Sequence, residues 1–235
     1  MKTEPFQFKQ FSVKHDQCAM KVGTDAVLLG AWTNVSGIDA ILDIGAGSGI
    51  IALMLAQRNQ KALIDAVEVD DESFLQCEDN FNASPWQERM GVFHEDIKQF
   101  TKGIKYSLVV SNPPFFSNSL LSGDERKDAA RHTVNLSPAE LIACSVKLLA
   151  EKGKMDFVLP ADKEKEIKNE AAKYGFYTER ICHVRYNPEK PVKRILIEFS
   201  KDAGKAMEEE LCIRDNNEQF TPEYVKLTKE FYPFL

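Results

Sequence analysis

The sequence predicts a single α/β domain built on a mostly parallel sheet, and three observations carry that expectation. From Ile38 onward, short apolar runs alternate with segments of helical periodicity, the pattern of a parallel sheet covered on both faces. One run, Ile41-Leu42-Asp43-Ile44, passes through Gly45-Ala46-Gly47-Ser48-Gly49 straight into a helical pattern. Two later runs are joined only by Asn187-Pro188-Glu189-Lys190-Pro191, too short for a helical crossover, so that pair should be antiparallel.

Taken in order, Phe6 to Val13 alternates imperfectly, and a turn-like Lys14-His15-Asp16-Gln17 separates it from Cys18-Ala19-Met20-Lys21-Val22. The pair reads as a short hairpin ahead of the sheet. Gly23-Thr24-Asp25 supplies a turn and an N-cap for a helix from Ala26 to Trp32. The periodicity then predicts seven strands, at 40–44, 63–68, 90–94, 106–111, 153–159, 177–186 and 192–200. Helices are predicted at 49–58, 71–82, 137–150, 161–174 and 221–230. Glu208-Glu209-Glu210 reads as a helix surface. The expected organisation is a hairpin and helix (1–37), a core sheet (38–200) and a C-terminal extension (201–235) of one domain.

Composition bounds the function. The chain of 235 residues carries 43% hydrophobic and 28% charged residues, ordinary for a globular protein. No apolar run approaches the ~20 residues of a membrane span, and the first residues lack the apolar core of a secretory signal, so a cytoplasmic location is expected. Five cysteines without a CxxC pair indicate neither a disulfide framework nor a zinc site; they read as reduced, mostly buried residues. A net charge of −6 argues against nonspecific coating of nucleic acid. Local basic faces remain available at Lys190, Lys193 and Arg194 near Arg185, and at Arg126, Lys127 and Arg131.

Ser111-Asn112-Pro113-Pro114-Phe115-Phe116 follows the apolar run Tyr106–Val110. Adjacent prolines cannot donate to a ladder, so the strand stops there and holds a rigid, extended loop. It can present an amide oxygen, backbone carbonyls and an aromatic face to a planar group bearing an NH2. The glycine loop offers a complementary cofactor site, because glycines allow positive φ and close approach of a ligand to the backbone, with helix-start N–H groups facing it. Its GxGxG spacing puts Ile50 where a dinucleotide fingerprint wants glycine or alanine, which together with Asp43 disfavours NAD. Glu68 closes the next strand, about 20 residues on, where an acid can bind both ribose hydroxyls. Asp70 is then free to cap the following helix. No catalytic role is expected of His15, His94, His132 or His183.

These motifs resemble those of S-adenosylmethionine-dependent methyltransferases. Asn112-Pro113-Pro114-Phe115 is similar to the (Asp/Asn/Ser)-Pro-Pro-aromatic motif of enzymes that methylate exocyclic or amide nitrogens. The resemblance implies a Rossmann-like class I methyltransferase fold with a C-terminal antiparallel hairpin. It also implies S-adenosylmethionine bound at Asp43, Gly45, Gly47, Gly49, Glu68, Asp96 and Asn112, with Asp96 on the adenine amino group and Lys21, Gly23 and Thr24 toward the methionine end. Asn112, Pro113, Pro114 and Phe115 would grip the acceptor, without a metal.

The acceptor could be adenine in DNA or RNA, guanine in ribosomal RNA, or a protein glutamine. Phe8-Lys9-Gln10-Phe11, Met20-Lys21-Val22-Gly23-Thr24-Asp25, Ser84-Pro85-Trp86 and Pro191-Val192-Lys193-Arg194 resemble the tRNA1(Val) adenine-37 N6-methyltransferases, which implies a tRNA partner. An anticodon-loop adenine is already unpaired, so extruding it is inexpensive. The polar segment 117–135 is then expected to be a mobile substrate loop. The alternatives are a release-factor glutamine methyltransferase, disfavoured by Phe115 and by the absence of a long helical domain ahead of the cofactor fold, a noncatalytic RNA-binding factor, and an NAD oxidoreductase.

Overall fold

The computed structural model describes residues 4–18, 21–113 and 136–235. The chain runs β1 (Phe6–Gln7), β2 (Ser12–Val13), α1 (Thr24–Trp32), β3 (Ala40–Ile44), α2 (Ile50–Arg58), β4 (Leu63–Glu68), α3 (Asp71–Asn82) and β5 (Met90–His94). It continues with β6 (Tyr106–Ser111), α4 (Pro138–Leu148), β7 (Leu149–Pro160), α5 (Glu164–Ala172), β8 (Tyr177–Arg185), β9 (Arg194–Ser200), β10 (Met207–Cys212) and α6 (Pro222–Thr228). The large sheet has eight strands in the order β10-β8-β9-β7-β6-β3-β4-β5. Strands β3 to β7 are mutually parallel, and β9 runs antiparallel to both β7 and β8.

Helices cover both faces because the parallel strands are apolar on both. Ile41, Leu108, Val110, Val158 and Leu196 belong to the core under α1, α2, α3 and α6. Leu42, Val109, Phe157, Leu159 and Ile197 face the second core, under α4 and α5. Alternation by one residue sends neighbouring side chains to opposite faces, so each strand feeds both cores. Side chains cap the starts of α3, α4 and α6. Asp70 caps α3 by accepting from Ser73 N–H at 2.9 Å, as expected, and Ser137 with Glu140 forms a capping box on α4 behind Pro138.

Three expectations need correction. The N-terminal hairpin closes within the first segment, β1 on β2, around Phe8 to Phe11, whose backbones bond at 2.8 Å. The rings of Phe6, Phe8, Phe11 and Tyr232 gather there, and this aromatic cluster outweighs the alternation that suggested a later turn. The sheet has eight strands, since Glu208-Glu209-Glu210 lies in β10, parallel to β8 at the sheet edge. Glu209 accepts from Trp32 Nε1–H at 2.8 Å, and Glu210 pairs with Arg185 at 3.3 Å. A charged edge strand carries little apolar signal, and carboxylates there discourage pairing with another chain. Finally, β7 begins at Leu149, so α4 ends two residues before the expected limit.

Candidate active site

The sheet changes direction of winding between β3 and β6, which are adjacent and parallel, with Ile44 opposite Ser111. Ser111 is fully buried and donates its hydroxyl to Ile44 O at 2.8 Å. That bond ties the tip that carries Asn112 to the tip that carries the glycine loop. A crevice opens beyond the carboxyl ends of the strands at such a switch point.

The glycine loop is held from below by the next strand. Gly45 N–H and Ala46 N–H donate to Val67 O at 2.9 and 3.3 Å, Gly47 N–H to Glu68 Oε2 at 2.7 Å, and Gly49 N–H to Ala46 O at 2.8 Å. These four N–H groups are engaged inside the fold, so what Gly45 and Gly47 add is close approach. Their φ values of 69° and 55° are left-handed, and a Cβ built on either meets nothing within 4 Å among the described residues. Gly49, at φ 76°, answers to a different neighbour: a Cβ there would lie 2.5 Å from Phe81 Cε1 and 2.7 Å from Cys77 Sγ on α3.

Two carboxylates, Glu68 and Asp43, brace the loop and its helix, and a third, Asp96, follows β5 two strands away. Glu68 is buried; its Oε1 accepts from Val69 and Asp70 N–H at 2.8 and 2.9 Å, and Oε2 from Gly47. A carboxylate has about four acceptor sites, so one on Oε2 stays open. Burial pushes its pKa up while the three backbone donors pull it down. Asp43 is fully buried, and burial pushes its carboxyl up to about 7. Its Oδ2 accepts from Ala52 N–H at 3.2 Å, whereas Oδ1 has no partner among the described residues. Asp96 is half-buried, with Oδ1 accepting from Lys98 N–H at 2.9 Å. An orphaned acceptor on Asp43, an open one on Glu68 and empty space over two glycines fit a polar, nucleoside-bearing cofactor.

Lys21, Gly23 and Thr24 reach the site from the N-terminal side, where they line a cavity of about 700 Å³ together with Asn112 and Pro113. Its far wall comes from the ends of β7 and β9, with Pro160, Lys193 and Arg194. The glycine loop, Glu68 and Asp96 do not line this cavity, which therefore lies on the opposite side of Asn112 from β4. Pro114, Phe115, the segment 117–135 and the basic residues Arg126, Lys127 and Arg131 lie outside the described residues.

Several positioning residues escaped the sequence reading. Asn80 on α3 donates to Lys14 O at 2.8 Å and to Ser48 O at 2.9 Å, bridging the N-terminal segment to the glycine loop. Gln76 accepts from Gln17 and Cys18 N–H, and His15 Nδ1 accepts from Val22 N–H at 3.0 Å. Arg194 Nε donates to Asp25 Oδ2 at 2.7 Å, fixing the start of α1 against β9. The helical spacing of Gln76 and Asn80 puts both on one face, a signal visible in the sequence, but their partners are some 60 residues away. His94 stacks on Phe74, and His183 pairs with Glu164, which gives both structural partners. All five cysteines are free, three of them buried. Among the described residues no cluster could hold a metal ion, and no helix is long and apolar enough to cross a membrane.

Residues 22–172 match the model of the methyltransferase small domain. The tRNA1(Val) (adenine(37)-N6)-methyltransferase of Tolumonas auensis is 42% identical over 97% of this chain and 96% of its own. The protein of the same description from Bacteroides fragilis is 44% identical over 97% of both chains. The chain belongs to this family. Solved structures of lower identity share the fold: a predicted O-methyltransferase from Agrobacterium tumefaciens superposes with a TM-score of 0.66 at 19% identity, covering 88% of this chain and 96% of that one. TYW2 of P. horikoshii, solved with MeSAdo, gives 0.59 at 14% identity, covering 84% and 71%. Membership of this methyltransferase family implies S-adenosylmethionine as the methyl donor.

Proposed function

We propose that this protein transfers a methyl group from S-adenosylmethionine to the exocyclic N6 of adenine 37 in tRNA1(Val), in the cytoplasm. The observation that carries the reading is the placement of Asn112 and Pro113 at the switch point, tied through Ser111 to the glycine strand and walling a cavity of about 700 Å³. The volume is in the range of small-ligand pockets and admits a nucleoside. Resemblance to named relatives across nearly the whole chain supplies the acceptor.

When bound, S-adenosylmethionine supplies an electrophilic sulfonium methyl, so the chain's task is alignment and activation of the amine. Asp43, Gly45, Gly47, Glu68 and Asp96 would hold the cofactor, Gly49 would shape its loop, and Lys21, Gly23 and Thr24 would close its methionine end. The lone pair of an adenine amine is delocalised into the ring and poorly nucleophilic. Asn112 Oδ1 and the Pro113 carbonyl accept its two N–H protons, drawing the nitrogen toward tetrahedral geometry with the lone pair free. By their place in the motif, Pro114 stiffens the loop and Phe115 stacks on the base. No general base is needed beforehand, because the proton leaves after positive charge develops on nitrogen.

The test is to incubate the protein with methyl-labelled S-adenosylmethionine and separate pools of tRNA, ribosomal RNA, DNA and release factor, then digest the labelled pool. Label recovered as N6-methyladenosine from tRNA is the expected result. Label in protein, or in any other nucleoside, overturns the reading.

A further inference from the structure

We propose that a second groove, adjacent to the acceptor cavity, binds the unpaired RNA next to the target adenosine by stacking a base on Phe234 and holding phosphates on a basic rim. The proposal rests on the tRNA reading above. The groove encloses about 630 Å³ and is floored by Phe6, Phe220, Tyr224, Tyr232 and Phe234. Thr24, Asp25, Lys193 and Arg194 line both this groove and the acceptor cavity, so the two are neighbours that share a wall over which a strand with one base in the cavity would pass.

The aromatic floor is ordered but not closed. Phe234 stacks on Tyr232 with centroids 4.9 Å apart, and Phe220 on Tyr224 at 4.9 Å, yet Phe234 remains 64% exposed while Tyr224 and Tyr232 are buried. The segment bearing it is pinned, since Lys9 Nζ donates to Leu235 O at 3.0 Å and to Lys229 O at 2.6 Å. A large, fixed ring with a free face is the kind of platform on which single-stranded bases stack.

The rim carries Arg185, Lys193, Arg194 and Arg214 on a chain whose net charge is −6, so the positive charge here is local. Arg185 faces Glu210 at 3.3 Å, Arg194 faces Asp25 at 2.7 Å, and Arg214 faces Glu218 at 3.9 Å. Lys193 has no ion pair among the described residues. The longer pairs to the exposed Glu210 and Glu218 are weak and exchange for a phosphate, which also releases counterions from the RNA, while Arg194 stays on Asp25 and contributes its remaining N–H groups. Four cations around aromatic rings complement a polyanion with unpaired bases; a purely apolar partner has no use for them.

The experiment measures binding of a fluorescent anticodon stem-loop of tRNA1(Val), and of an RNA duplex of equal length, to the full chain. Phe234→Ala is expected to weaken stem-loop binding roughly tenfold. Phe234→Trp, which keeps a stacking face, should retain it, and neither should change S-adenosylmethionine affinity. Lys193→Gln should lower the slope of log affinity against log salt by nearly one. Wild-type stem-loop affinity in both Phe234→Ala and Lys193→Gln overturns the proposal. So does equal wild-type affinity for duplex and loop, or a dimer that Phe234→Ala dissociates with RNA binding unchanged. Binding is read without methyl transfer: a chain that binds the loop through Phe234 but methylates no adenine refutes the proposed function alone, and an active chain indifferent to both substitutions refutes the groove alone.

Discussion

Replacing Gly49 by alanine separates the part of the glycine loop that serves the fold from the part that faces the crevice. Gly49 sits at φ 76°, where an L-residue costs about 1–2 kcal/mol. Its new Cβ would fall 2.5 Å from Phe81 Cε1 and 2.7 Å from Cys77 Sγ, two fully packed side chains of α3. Overpacking of this kind adds about 1–3 kcal/mol, giving a loss of roughly 2–5 kcal/mol. For a chain of this size each kcal/mol lowers the midpoint by about 2–4 °C, so a drop of roughly 4–20 °C is expected. Gly45→Ala is the control: φ is 69° but nothing among the described residues lies within 4 Å of the added methyl. It should cost only the conformational term, about 1–2 kcal/mol, while its methyl enters the open space and weakens S-adenosylmethionine binding. Thermal unfolding followed by circular dichroism, with cofactor titration by calorimetry, reads both. A Gly49→Ala protein that melts no lower than Gly45→Ala would refute the reasoning.

Other substitutions probe the carboxylates and the acceptor loop. Glu68→Gln leaves one oxygen to serve three backbone N–H groups, at least one of which then faces an NH2; a loss of about 1–3 kcal/mol should appear as a lower urea midpoint, and an unchanged midpoint contradicts the pinning role. Asp43 is pushed by burial to about 7 in the folded state against an ordinary 3.8, so the native state binds more protons than the unfolded state between these values and stability falls as pH rises through that window. Asp43→Asn keeps an acceptor for Ala52 N–H and removes that slope, so it should match the wild type near pH 4 and exceed it by up to about 4 kcal/mol at pH 8; parallel curves across the range would exclude the assignment. Asn112→Ala should lower kcat by on the order of 10²–10³ with S-adenosylmethionine affinity nearly unchanged, and unaltered turnover in a single-turnover methylation assay would remove Asn112 from the chemistry.

Much of this architecture was legible because it is local. Strands 40–44, 63–68, 90–94 and 106–111 and helix 71–82 have the expected limits, since apolar runs, an Asp70 cap and the Pro113 stop all act within a few residues of the element they bound. β10 was missed for the complementary reason: Met207–Cys212 carries three glutamates in a row and becomes a strand only because β8 offers an unpaired edge and Trp32 and Arg185 supply partners. Context decided it.

The same division runs through the site. The sequence by itself determined the pieces: a glycine loop between strand and helix, an acid at the end of the next strand, and a proline-stiffened amide after another. Their motifs are short-range patterns tied to chemistry. Only the tertiary structure decided that Gly49 answers to Phe81 while Gly45 and Gly47 face open space, and that Glu68 braces the loop by accepting from Gly47. It also decided that Asn80 joins residues 14 and 48, and that Lys193 and Arg194 stand across a cavity from Asn112. Those relations join residues dozens of positions apart, set by sheet order and side-chain packing, and no periodicity along the chain encodes which distant atoms meet.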